Sequence, residues 1–187
     1  MSLKISFELS DSDLDHFCDV MKRCRESTPL VPANQIIENT EQLLKQIKKS
    51  DAKDFILERI RQLDTLIGML RDQDWHLADD DRERVLTALS YFSQSADLIP
   101  DDIPGLGFLD DAIMIEIVCQ ELKHEIQAYR EFKKDCNSRV NQEAQGVTPE
   151  NDAKWLEKRR AQLHARMRRR RKNQPNSHKT KSPFSLF

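Results

Sequence analysis

The chain of 187 residues contains 38% hydrophobic and 33% charged residues, and it has a mean hydropathy of −0.70 and a formal net charge of −2. No apolar run approaches the roughly 20 residues that span a bilayer, and the first residues lack the basic and apolar segments of a secretory signal. The four cysteines (Cys18, Cys24, Cys119 and Cys136) contain no Cys-x-x-Cys pair, which favours a reduced, cytoplasmic protein over a disulfide scaffold or a zinc site.

The residue pattern predicts an all-α domain over residues 1–136. Apolar and polar residues alternate from Leu3 to Leu9, which is typical of a short extended segment. Gly68 lies inside a predicted helix, where glycine costs about 1 kcal/mol relative to alanine, so we expect a close helix approach there. Apolar side chains at helical spacing predict five helices, over about 12–26, 33–49, 52–72, 81–95 and 110–136.

A further helix is predicted beyond this domain. Residues 137–148 are polar and are interpreted as a linker. Pro149 suits the first position of a helix, so a basic helix is expected over 149–172, followed by a disordered tail over 173–187. Since this helix has a narrow apolar stripe, we expect it to be separate, and its removal to leave the thermal stability of residues 1–136 nearly unchanged. The stripe consists of Trp155, Leu156, Leu163 and Met167.

The segment between the fourth and fifth predicted helices has the most strongly specified backbone. Pro100, Pro104, Gly105 and Gly107 fall within eight residues; proline fixes its own φ, and glycine permits φ values that other residues avoid. Apolar residues in the segment predict that it packs into the helical core: Leu98, Ile99, Ile103, Leu106, Phe108 and Leu109.

Two stretches of this segment, Asp97 to Asp101 and Ile103 to Asp111, resemble the DUF1232, or YkvA-like, family, and the resemblance extends over about residues 85–130. Ser95 stands where many members have proline. The resemblance implies no established biochemical role, although several members look membrane-associated. Here the apolar piece from Leu109 to Cys119 contains three acidic residues, so we expect no membrane insertion. The motif residues are Asp97, Pro100, Asp101, Pro104, Gly105, Gly107, Asp110 and Asp111.

The acidic residues of this loop have two interpretations. Carboxylates are the hard oxygen ligands that Mg²⁺ and Ca²⁺ prefer, so a divalent-metal site or a metal-dependent enzyme is one hypothesis. The favoured interpretation is structural: Asp97 and Asp101 accept turn hydrogen bonds, Asp110 caps the fifth helix, and Asp111 favours its dipole. The candidate metal ligands are Asp97, Asp101, Asp102, Asp110 and Asp111.

A second candidate metal group lies within the fifth predicted helix. Glu121 and His124 form a Glu-x-x-His pair, and Glu116 is a further ligand candidate. Carboxylate-bridged di-iron bundles need two such pairs, and the sequence has one. No phosphate-binding loop or hydrolase motif is found either, so we expect a non-enzymatic protein without a resident cofactor.

Charge is distributed unevenly along the chain. Residues 158–187 contain eleven Lys and Arg and no Asp or Glu, which leaves 19 basic and 32 acidic residues in 1–157. The two parts therefore carry formal charges of +11 and −13. An acidic body with a basic tail indicates either a polyanionic partner or a tail that folds back onto the body.

The leading hypothesis is an interaction module whose basic helix contacts a polyanion, most favourably nucleic acid, because arginine pairs bidentately with phosphate. Since basic residues surround the helix, no base-specific readout is expected. The alternatives are a protein-binding or peripheral-membrane scaffold without a nucleic-acid role and, third, the metal-dependent enzyme. The candidate nucleic-acid-binding residues are Lys158, Arg159, Arg160, Arg166, Arg168, Arg169, Arg170, Arg171 and Lys172.

The last five residues, Pro183 to Phe187, resemble the peptide with which many bacterial replication and repair proteins bind the sliding clamp. That peptide has a pattern close to Gln-Leu-Ser/Asp-Leu-Phe, and the final Ser-Leu-Phe matches it. Pro183 and Phe184 depart from the usual Gln and Leu. The resemblance implies docking of Phe184, Leu186 and Phe187 in an apolar pocket of such a partner; the alternative is a frayed terminus.

Overall fold

The computed structural model describes residues 8–27, 31–49, 54–93, 108–144 and 152–173. Within these ranges the chain has seven α-helices and no strand, which confirms the all-α prediction. Residues 1–7, the main part of the predicted extended segment, lie outside the description. The helices are α1 (Asp11–Ser27), α2 (Ala33–Lys49), α3 (Asp54–Arg71), α4 (Asp79–Ser90), which leads into a 3-10 turn (Tyr91–Ser93), α5 (Leu109–Glu121), α6 (Lys123–Ala144) and α7 (Asp152–Lys172).

Helix α3 is the centre of the fold, because α2, α4, α5 and α6 all pack against it. Its Leu63 and Leu66 are fully buried, and further apolar residues recur at helical spacing on the same side. Phe108, at the end of the predicted core-packing loop, is also buried. The other apolar loop residues up to Leu106 lie outside the described part of the chain.

The prediction of one helix over 110–136 is wrong, because the structure has two. Helix α5 ends at Glu121, Leu122 has φ −95° and ψ 19°, and α6 begins at Lys123. No glycine or proline marks this break. Its effect is to direct the two segments to different partners, since α5 packs mainly on α3 whereas α6 packs mainly on α7.

The predicted linker over 137–148 is also corrected, because α6 continues to Ala144. The polar residues that suggested a linker lie on the solvent side of the helix, where Asn137, Ser138 and Asn141 are exposed. Arg139 places its guanidinium 4.5 Å from the Trp155 ring centroid of α7, so the end of α6 is in contact with the next helix.

Three helix starts differ in their capping, and the cap expected at Asp110 is corrected. Ser10 and Asp13 form a reciprocal cap at the start of α1, in which the Ser10 backbone N–H donates to Asp13 Oδ2 at 2.8 Å. Helix α4 instead starts after Ala78, with its three aspartates in the first turn. Helix α5 starts after Phe108 at φ 63°, so Asp110 is a buried first-turn residue and not the cap.

The prediction of a separate basic helix is wrong. Leu163 and Met167 are 0% and 1% exposed and belong to the same hydrophobic core as α3. Fully burying side chains of this size contributes about 1.5–3 kcal/mol each, which is a large share of the stability of a typical domain. Removal of α7 should therefore destabilise the body, contrary to the expectation from its narrow apolar stripe.

The close approach expected at Gly68 is confirmed. A Cβ atom at this position would lie 3.4 Å from the Tyr129 hydroxyl oxygen of α6. That hydroxyl donates a hydrogen bond to Asp72 Oδ2 at 3.1 Å, and Lys133 donates to the same oxygen at 3.0 Å. Gly68 therefore leaves room for the polar contact that joins the end of α3 to α6.

Two substitutions at Gly68 test this contact. Alanine should stabilise the protein by up to about 1 kcal/mol, because its Cβ makes an ordinary contact and it favours the helix. Leucine should destabilise it by about 1–3 kcal/mol, because the longer side chain displaces Tyr129 from Asp72. Urea denaturation midpoints measure both effects, and equal stability of the two variants would disprove the close-approach role.

Candidate polyanion-binding face

The inner side of α7 lies against an aromatic group of the body. His164 packs edge-on against Trp75, with ring centroids 4.3 Å apart, and Trp75 also contacts Phe132 of α6 at 5.1 Å. Asp72 holds the turn that presents Trp75, since its Oδ1 accepts hydrogen bonds from the Asp74 and Trp75 backbone N–H groups. The turn after α3 thus positions the aromatic side chain against which α7 packs.

Arginines on the side of α7 facing α6 pair with acidic residues of that helix. Arg159 donates to Glu131 Oε1 at 2.8 Å and to Asp135 Oδ2 at 2.7 Å, and Arg166 donates to the other oxygen of Glu131. The hydrogen bond from Arg166 lowers the pKa of Glu131, and Arg159 lowers it further. These arginines are therefore neutralised within the molecule.

Arg171 joins two buried carboxylates from different helices. Its Nη1 atom lies 2.7 Å from Asp81 Oδ1 of α4 and 2.8 Å from Glu125 Oε1 of α6. Asp81 and Glu125 are 1% and 0% exposed. Burial alone would lower the pKa of Arg171, but the hydrogen bonds that Arg171 donates to the two carboxylates, together with their negative charges, outweigh burial and raise it. Arg84 Nε of α4 approaches Glu125 Oε1 as well, at 3.7 Å.

Three further arginines of α7 are partly engaged. Arg160 donates to the Asp74 carbonyl at 3.2 Å, Arg168 lies 3.5 Å from Asp81 Oδ2, and Arg170 donates to the Gln127 side chain at 2.9 Å. The side chain of Arg168 remains half exposed. The partners of Arg160 and Arg170 are uncharged, so their positive charge is not compensated by these contacts.

The remaining basic residues of α7 define what we call the α7 row: Lys154, Lys158, Arg169 and Lys172. All four are exposed, and none makes an ion pair with another residue of the described ranges. Their spacing places them on one side of the helix, opposite Leu163 and Met167. Basic residues thus surround α7 as expected, but they differ in their partners: one set forms ion pairs within the molecule, Arg160 and Arg170 contact uncharged groups, and the α7 row makes no ion pair within the described ranges.

The acidic loop is described only in part. Residues 94–107 lie outside the described ranges, and with them Asp97, Pro100, Asp101, Asp102, Pro104, Gly105 and Gly107. Asp110 and Asp111 are 3% and 5% exposed in the first turn of α5. Among the residues that the structure describes, no group of three or more His, Cys, Asp or Glu could hold a metal ion.

The Glu-x-x-His pair is not assembled as a metal site within the described ranges. Glu121 Oε1 lies 3.4 Å from Arg84, and Glu116 Oε2 lies 3.2 Å from Arg59 of α3. His124 follows the break between α5 and α6 and is partly buried. The carboxylates of the candidate set therefore face arginines. The predicted docking residues Phe184, Leu186 and Phe187 lie in 174–187, outside the description.

Sequence reasoning missed the partners that hold α7 in place. Asp81 lies in a run of three aspartates that gives no sign of its partner, and Glu125, Glu131 and Asp135 were not distinguished from other charged residues of a long helix. The acidic excess of residues 1–157 was the available signal, and it indicated a fold-back without naming its members. Trp75 could have been noticed as a large aromatic residue next to a turn-forming aspartate.

Comparison with known proteins agrees with the motif in the loop before α5. The family model described as "Protein of unknown function (DUF1232)" matches residues 84–117, which begin in α4 and end in α5. The "Uncharacterized membrane protein YkvA" of Bacillus subtilis (strain 168) is 35% identical over 80 residues, which cover 40% of this chain and 74% of that protein. No solved structure matches this chain.

The fold and the motif define an all-α protein in which a proline- and glycine-rich acidic segment of the sequence lies between the fourth and fifth helices. The chain belongs to the DUF1232, or YkvA-like, family.

Replacing a paired basic residue of α7 should lower the stability of the protein more than replacing a residue of the α7 row. Arg171→Gln should destabilise the protein by about 3 kcal/mol, because the buried carboxylates of Asp81 and Glu125 lose their shared cation and keep only longer contacts with other arginines. Arg169→Gln removes an exposed charge two residues before Arg171 in the same helix, and it should change stability by less than about 0.5 kcal/mol. Chemical denaturation compares the two, and equal destabilisation would contradict the inward–outward division.

His164 makes the packing of α7 against the body sensitive to acid. Burial lowers its pKa below the usual 6.5, and Arg168 and Arg160 lower it further, against smaller opposing effects of Asp81 and the Trp75 backbone. The neutral imidazole contributes fully above pH 6.5, and its contribution is lost as pH falls through the lowered folded-state pKa.

His164→Phe should remove that dependence while it keeps an aromatic ring against Trp75. The denaturation midpoint is measured at pH 7.5 and at pH 5.5, of which only the second lies below the usual histidine pKa of about 6.5. Between these two pH values the midpoint should fall more for the wild type than for the variant. An equal fall in both proteins would show that other groups cause the acid sensitivity.

Proposed function

We propose that this protein is a non-enzymatic module that binds a polyanion through the α7 row. The observation that carries the proposal is the division of α7: its inward arginines are neutralised by Glu131, Asp135, Asp81 and Glu125, whereas the outward row is not. Uncompensated cations that a rigid helix holds on one line attract anionic surfaces and polymers.

Two polyanions are candidates. Nucleic acid is the partner that the arginine-rich sequence predicts. An anionic membrane surface is favoured because the Bacillus subtilis relative is called a membrane protein. In the described ranges, no helix has the length and apolarity to cross a bilayer.

The cytoplasmic location expected from the cysteines stays a prediction. The docking of the last five residues on a clamp-like partner also stays a prediction.

Elution from a heparin column tests the proposal, since heparin is a polyanion that is neither nucleic acid nor lipid. Replacing Lys158 and Lys172 by glutamine should lower the salt concentration of elution clearly, because exposed ion contacts are lost. The matched control replaces Lys45 and Lys49 of α2, which are also exposed, make no ion pair in the described ranges and carry the same total charge.

The control variant should elute close to the wild type. An equal shift in both variants would mean that net charge alone governs retention, and an unchanged α7-row variant would place the binding site elsewhere. Circular dichroism melts should be alike for all three proteins, because every replaced side chain is exposed.

A further inference from the structure

A second row of uncompensated cations lies on α6, and we call it the α6 row: Lys123, Arg130 and Lys134. These exposed residues, with Gln127 between them, recur at helical spacing on one side of α6. Arg130 donates to the uncharged Gln62 side chain of α3. Neither Lys123 nor Lys134 forms an ion pair within the ranges that the structure describes.

The two rows lie side by side. Arg159 contacts Asp135, Arg166 contacts Glu131, and Arg170 contacts Gln127, so the residue numbers rise along α7 as they fall along α6. The helices are therefore antiparallel neighbours. Helix α6 meets α3 on its other flank, and α7 meets the turn at Asp74 on its other flank, so both exposed rows face the same side of the molecule.

Together the rows form a two-row basic face. The α7 row extends about 27 Å from Lys154 to Lys172 at the helical rise of about 1.5 Å per residue. The acidic residues between the rows, Glu131 and Asp135, are held by Arg159 and Arg166. Val140 is the large hydrophobic residue that is exposed in the described part of the chain. The face is therefore cationic, and none of its described large apolar side chains is exposed for insertion into a bilayer.

The shape of this face distinguishes between the two polyanions. A DNA-reading helix enters the major groove, but the inner half of α7 is covered by the body and by α6. Single-stranded nucleic acid stacks on exposed aromatic rings, which the described part of the face does not offer. A planar array of anionic headgroups, in contrast, meets both rows at once and requires no insertion.

We propose that the two-row basic face binds the surface of an anionic bilayer, with α6 and α7 lying parallel to the membrane plane. This inference rests on the proposed function and names its partner. Attraction between the seven cations and the headgroups supplies the affinity, so binding should need anionic lipid and should fall steeply with added salt.

Vesicle flotation with the full chain tests the proposal. The probes are mixed vesicles of phosphatidylcholine and phosphatidylglycerol, vesicles of phosphatidylcholine alone, and a short DNA duplex. The chain should float with the mixed vesicles and should neither float with the neutral ones nor bind the duplex comparably. A basic residue near an anionic surface contributes about a fivefold gain in affinity, so replacing Lys123, Arg130 and Lys134 by glutamine should weaken binding about a hundredfold.

The same control, with Lys45 and Lys49 replaced, separates a local face from total charge: it should lose less than about threefold, whereas two cations of the face are worth about 25-fold. Wild-type binding by the α6-row variant would overturn the two-row face. Binding to the duplex but not to mixed vesicles would overturn the bilayer proposal and leave the polyanion proposal standing. Binding to neither, together with no retention on heparin, would overturn the proposed function itself.

Discussion

Two buried carboxylates constrain the whole arrangement of the C-terminal half. Asp81 on α4 and Glu125 on α6 are almost inaccessible to water, and an ionised carboxylate without a partner is costly in such a place. Arg171 reaches both from α7. The position of the last helix is therefore fixed by charge neutralisation at one end and by the burial of Leu163 and Met167 in its middle.

This constraint also explains why the candidate binding face has a defined shape. A basic helix that is free in solution presents charge in all directions, and flexible arginines adapt to any anion. Once Arg159, Arg166 and Arg171 pair with the body, their charges are compensated, and the outward side of α7 carries the row of cations that has no acidic partner in the described ranges. The paired arginines thus act as positioning residues for cations that they do not touch.

The sequence predicted the elements of this fold better than their association. Helices α2 and α3 were found almost to the residue, because their apolar stripes are regular and their ends are marked by proline, serine or aspartate. The break at Leu122 was missed, since it contains no helix-breaking residue and follows from the different partners of α5 and α6. The docking of α7 was missed because its stripe is narrow, and the ion pairs that add to it join residues up to 90 positions apart.

The candidate site was predicted by residue type but not by orientation. All nine basic residues named from the sequence lie in α7, yet Arg159, Arg166 and Arg171 form ion pairs with acidic residues of the body. Lys123, Arg130 and Lys134 were not considered, since on the sequence they are isolated charges in a polar helix. Orientation depends on which face a helix buries, and a long-range contact decides that face.

A comparison of free energies indicates that a polyanion binds α7 while the helix is packed on the body and does not detach it. Extraction would free three arginines for new contacts, and each would gain about 1 kcal/mol at an anionic surface. It would also expose Leu163 and Met167, at about 1.5–3 kcal/mol each, and leave buried Asp81 without its cations, at about 3–5 kcal/mol, while Glu125 would keep only its longer contact with Arg84. The loss exceeds the gain by several kcal/mol. Binding therefore uses the face that the fold already presents, and Arg84, within the residues that match the family, contacts Glu125 in the same buried cluster that holds that face in place.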